Sequence, residues 1–173
     1  MNDPRNRIAH TDAVPYVSTG TLPTREDVRA LVASAYERFR EESGGSVADY
    51  IPALAEADPS LFGICVANTD GNYFAVGDAD RAFSIQSVSK PFVFALVCDT
   101  LGPARSAELL GVDATGMPFN SVMAVELRAG HTTNPMVNAG AIATTSLVQG
   151  ATAAERWGNV RNGLSRFAGR MLP

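Results

Sequence analysis

The sequence predicts an α/β (α+β) chain: helices around a small antiparallel sheet. Three observations carry that expectation. Apolar residues recur at helical spacing in several segments, first Val28, Leu31, Val32, Ala35 and Phe39. Helix boundaries are marked by residue type, with Thr24 and Thr152 at starts and Gly102 and Gly111 at ends. Only one hairpin is written clearly, two strand-like runs around Asp70-Gly71.

Taken in order, residues 1–20 carry Asn, Asp, Pro, Thr and Gly without periodicity and are expected to be a flexible tail. Residues 21–173 are expected to form the folded portion. Thr24 reads as the N-cap of a first helix that Ser43-Gly44-Gly45 ends. Asp49-Tyr50-Ile51-Pro52 opens a short turn or helix. Residues 62–67 read as a buried strand and Tyr73–Gly77 as its returning partner. Two strands do not make a stable sheet alone, so further partners are expected. A helix then runs to about Leu101, with Pro91 in its first turn, where backbone N–H groups lack partners anyway. Pro103 to Leu110 is a short helix, and 112–136 is mostly loop. A helix of small residues follows Asn134-Pro135 and ends near Gly150. Thr152-Ala153-Ala154-Glu155 is a capping-box pattern that starts a last helix through Trp157, Val160, Leu164 and Phe167.

Composition removes several classes. The 173 residues suffice for one sizeable core, and 46% hydrophobic with 18% charged is ordinary for a globular domain. A formal charge of −4 offers no basic surface for nucleic acid. No apolar run approaches a membrane span, and Met1 to Gly20 lacks the apolar centre of a signal peptide, so a cytoplasmic protein is expected. Cys65 and Cys98 read as buried free thiols. His10 and His131 stand alone and far apart, so no metal site is expected.

One basic residue is unlike the others. Lys+Arg is 14, yet only Lys90 is lysine, and it stands three residues after Ser87. Guanidinium stays protonated in proteins, whereas an ammonium can give up its proton and serve as a base. On a helix, Ser-x-x-Lys sets hydroxyl and amine on one face, the arrangement of a serine nucleophile with a lysine base. Ser87 falls at or just before the helix N-terminus, where unpaired N–H groups suit a developing oxyanion. The same position fits a plain N-cap serine equally.

Several segments, in order, resemble the serine-dependent glutaminases. They are Asp49-Tyr50-Ile51-Pro52-x-Leu54-Ala55, Phe62-Gly63-Ile64 through Asp70-Gly71 to Gly77-Asp78, and Phe83-Ser84-Ile85-Gln86-Ser87-Val88-Ser89-Lys90. Asn134-Pro135-Met136-Val137-Asn138-Ala139-Gly140-Ala141-Ile142 and Gly163-Leu164-Ser165-Arg166-Phe167-Ala168-Gly169-Arg170 follow. The resemblance implies a β-lactamase/transpeptidase-like fold and hydrolysis of L-glutamine to L-glutamate and ammonia, with no cofactor and no metal. It implies Ser87 as nucleophile, Lys90 as its activator, and Asn138 and Tyr50 as substrate-binding residues. It also implies a homo-oligomer, a tetramer in the family. Ser84 and Ser89 are expected to be structural. Read without the family, Asn134 starts a turn and Asn138 caps the next helix.

Family members are longer, and their further residues include substrate ligands and a strand N–H of the oxyanion hole. The fold is therefore expected to be incomplete at the C-terminus and the chain alone to have little activity. Two other readings stay open. One is a non-catalytic remnant or one half of a split enzyme. The other is a penicillin-recognising Ser/Lys hydrolase, against which the Asn-Pro-Met-Val-Asn-Ala-Gly run and the absence of Ser-Asp-Asn weigh.

Overall fold

The computed structural model describes residues 20, 23–127, 130 and 133–173. The expected tail thus lies outside the described residues except for Gly20, and His10 and His131 lie outside them too. The chain divides into two compact units, residues 1–82 and 83–173.

The first unit is a helix on a hairpin. Helix α1 (Arg25–Phe39) starts as its sequence predicts: Thr24 and Asp27 form a reciprocal capping box. The helix stops at an Arg40 C-cap, three residues short of Ser43. Helix α2 (Pro52–Ala55) has proline in its first turn and no side-chain cap. Strands β1 (Gly63–Ala67) and β2 (Tyr73–Gly77) pair antiparallel with Ile64 opposite Val76 and Val66 opposite Phe74. The turn between them is tied by Asn68, whose Oδ1 accepts from the N–H groups of Asp70 (3.1 Å) and Asn72 (3.0 Å).

Helix α1 lies against this hairpin. Val32 is buried, Tyr36 stacks on Phe62 at 5.5 Å, and Arg29 sits over the Phe74 ring at 5.2 Å. Ile64, Phe74 and Val76 are half-buried while Cys65, Tyr73 and Ala75 are exposed. The reading of 62–67 as a buried strand, and of Cys65 as a buried thiol, is therefore corrected. A continuous apolar run looks the same in sequence whether one face or both are covered.

The second unit is helical. Helix α3 (Ser89–Leu101) is its centre and packs with α4 (Pro103–Leu110), α6 (Asn138–Ser146) and α7 (Ala153–Ala168); a four-residue helix, α5 (Met123–Glu126), interrupts the connecting loop. Val93, Val97, Val148 and Val160 form the core, with Leu101, Leu147 and Leu164 against it. The Leu96 side chain of α3 seats on Gly163 of α7: a Cβ there would fall on the Leu96 methyls. Helix α7 carries the capping box predicted for it, Thr152 with Glu155. It ends at Gly169 in the left-handed conformation (φ 64°).

Candidate active site

A one-turn 3-10 helix, Gln86–Val88, leads directly into α3. Ser87 is the middle residue of that turn and is exposed, so it stands just before the α-helix, as its spacing from Pro91 predicts. Lys90 is the second residue of α3, one turn later, and half-buried. Gln86 has φ 42°, the only positive φ of a non-glycine among the described residues. A left-handed conformation costs such a residue roughly 1–2 kcal/mol. Strain of that kind persists only where the surroundings hold it.

The second segment is built to meet the first. Asn134 makes an Asx turn: its Oδ1 accepts from Met136 N–H (2.8 Å), and its own carbonyl accepts from Val137 N–H (3.1 Å). Its Nδ2 donates to the Asp113 carbonyl at 3.1 Å, anchoring the turn to the preceding loop. Val137 is extended (φ −91°, ψ 160°) and α6 begins at Asn138, whose N–H donates to the Phe119 carbonyl at 2.9 Å. Gly140 is buried, and a Cβ there would land on the Asn134 carbonyl. The first turn of α6 therefore rests directly on backbone, which only glycine permits.

These devices bring Lys90 and Asn138 together. Lys90 Nζ donates to Asn138 Oδ1 at 2.7 Å and to the Met136 carbonyl at 3.3 Å. Lys90 donates here, so the amide oxygen of Asn138 is the end facing it, and Asn138 Nδ2 is left as a donor pointing elsewhere. Two positions on the lysine nitrogen are taken. The remaining one holds a third N–H in the ammonium and a lone pair in the amine.

Asn134 is a turn residue, one of the readings left open. Asn138 is not a helix cap, because α6 has no side-chain cap hydrogen bond. Tyr50 belongs to the first unit, in the turn before α2, with its side chain largely exposed. Ser89 donates Oγ–H to the Gln86 carbonyl at 2.6 Å. The Met136 carbonyl escaped the sequence reading: any residue type supplies a carbonyl, and only the Asn-Pro turn signal hinted at where this one is aimed. Among the described residues no group of three His, Cys, Asp or Glu is placed to hold a metal ion, and no helix is long and apolar enough to cross a membrane.

Comparison with known proteins bears on this constellation. The Glutaminase family model matches residues 45–172. Glutaminase 2 of Yersinia pestis is 54% identical over 159 residues, which cover 92% of this chain and 47% of that protein. The solved structure of a probable glutaminase, ybaS, superposes with a TM-score of 0.80 at 38% identity, covering 84% of this chain and 47% of that one. Mglu in its L-glutamate binding form gives 0.74 at 37% identity over 86% of this chain and 34% of that one. The chain spans about half the length of the curated relatives it matches. Its helices and small antiparallel sheet are those of the β-lactamase-like fold of these neighbours. The match takes in both the Ser87–Lys90 segment and the Asn134–Gly140 turn, and the chain belongs to the glutaminase family.

Proposed function

We propose that this protein hydrolyses the side-chain amide of L-glutamine, giving L-glutamate and ammonia, with Ser87 as nucleophile and Lys90 as its base. The observation that carries the proposal is the 2.7 Å bond from Lys90 to Asn138, which joins two motifs 48 residues apart. In the amine form, Lys90 spends both N–H groups on Asn138 and Met136 and keeps its lone pair for the Ser87 proton. Ser87 Oγ then attacks the amide carbon, and the proton held by Lys90 passes to the departing ammonia. A glutamyl ester on Ser87 is left, and water cleaves it to glutamate and free serine. Asn138 Nδ2 offers a donor to the polar head of the amino acid, and Tyr50 is assigned to the same binding role. That Mglu has a form binding L-glutamate, the product of this reaction, supports the substrate class. The family further suggests an assembly of like subunits, measurable by light scattering.

The test is ammonia release from L-glutamine by these 173 residues fused to the remaining segment of the Yersinia relative. Lys90→Arg keeps the charge and cannot act as a base, so the rate is expected to fall about 10²–10⁴-fold. Ser87→Ala is expected to be at least as damaging. Near-normal turnover in Lys90→Arg would make Lys90 a fixed charge, and faster turnover of L-asparagine would move the substrate.

A further inference from the structure

We propose that Ser89 is a positioning residue: its hydroxyl holds Gln86 in the left-handed conformation and thereby sets where Ser87 stands. The proposal rests on Ser87 being the nucleophile. Gln86 is the only non-glycine with positive φ among the described residues, and it immediately precedes Ser87. Its carbonyl receives two donors from one residue, Ser89 Oγ–H at 2.6 Å and the Ser89 backbone N–H. The same N–H also reaches the Ser87 carbonyl, so Ser89 grips the residues on which the nucleophile depends. Val88 N–H closes the turn onto the Ile85 carbonyl at 3.0 Å. A backbone N–H is present whatever residue occupies 89; the hydroxyl is not. It is the removable part of the clamp, and it lies where a strained conformation needs an added constraint. Ser87 contributes no side-chain hydrogen bond of its own to this turn, so its direction follows from the backbone beneath it.

The test uses the fusion with the remaining segment of the Yersinia relative and compares it with the same fusion carrying Ser89→Ala or Ser89→Thr, which keeps the hydroxyl. Backbone NMR of Gln86 should report positive φ in wild type and in Ser89→Thr, and a shift to negative φ in Ser89→Ala. Covalent labelling of Ser87 by a diazoketone analogue of L-glutamine, followed by mass, should slow about tenfold in Ser89→Ala, the order expected for one hydrogen bond, and recover in Ser89→Thr. Melting temperatures of the variants should stay close, because Ser89 lies outside the core. A Ser89→Ala protein that keeps Gln86 at positive φ overturns the proposal. So does one whose Gln86 moves while Ser87 labels at the wild-type rate, and that outcome leaves the nucleophile intact. If Ser87 is labelled in none of the three proteins, the nucleophile reading fails and takes the role of Ser89 with it.

Discussion

Gly140 decides whether Asn138 reaches Lys90. Its missing Cβ lets the first turn of α6 sit on the Asn134 carbonyl, and that seating places Met136 and Asn138 over α3. Gly140→Ala is therefore expected to destabilise the fold by about 1–3 kcal/mol, as overpacking against backbone does. Thermal denaturation checks it, and an unchanged melting temperature would contradict the close approach. The roles of single residues were unevenly legible. Ser87 and Lys90 stand one turn apart, where a 3-10 turn runs into α3, so their spacing was readable from four letters. Asn138 was not readable in the same way. Two asparagines stand four apart, each a credible turn or cap residue, and what separates them is a bond across 48 positions that no local pattern encodes.

Elements were clearer than residues wherever the cause was local. Both helix starts stand where Thr24 and Thr152 announced them, because the signal and the structure lie within three residues of each other. The box on α1 also makes a pH-dependent contribution. Thr24 Oγ1 (2.6 Å) and Thr24 N–H (3.0 Å) both donate to Asp27 Oδ2, and they hold its carboxyl below the ordinary aspartate value of 3.8. Asp58 is held low in the same direction by the hydroxyl and N–H of Ser60. A depressed folded pKa means that the stabilisation is fully present above the unfolded value and is lost as pH falls through the lowered one. Helix signal from α1 should thus begin to fall only below about pH 4. Asp27→Asn, which keeps an acceptor without the titration, should flatten that limb in far-UV circular dichroism. A limb of equal size in the variant would assign the loss elsewhere. The strand reading failed for the opposite reason, since the cover over a strand comes from distant chain.

At the scale of the whole molecule, exposed apolar side chains bear on what these residues do by themselves. Tyr73, Phe83, Phe119, Val122 and Ile142 are each more than 60% exposed. Burying such side chains against another segment or a second copy is favourable, roughly in proportion to the apolar area removed from water. A polypeptide of these 173 residues alone is expected to associate with itself, seen as a mass in light scattering that rises with concentration. Its glutamine turnover is expected to lie at least about 10²-fold below that of the fusion with the relative's remaining segment, the scale of one lost oxyanion donor. A monodisperse monomer with equal turnover would mean that all the chemistry lies within residues 1–173. The fold class was legible from periodicity, caps and one hairpin. The division into two units at residue 82 was not, because Gly77-Asp78-Ala79-Asp80-Arg81 reads equally as the ordinary polar loop between a strand and a helix.

Cys65 stands on the face of the hairpin that α1 leaves uncovered, and its thiol is exposed, while Cys98 is half-buried in α3. The molecule thus carries a built-in chemical clock. Under limiting maleimide, Cys65 should react well before Cys98. Whatever comes to lie on that face, a further strand or a second copy, should slow the faster of the two reactions and spare the slower. The ratio of the two rates then footprints assembly at a single atom, with no residue substituted.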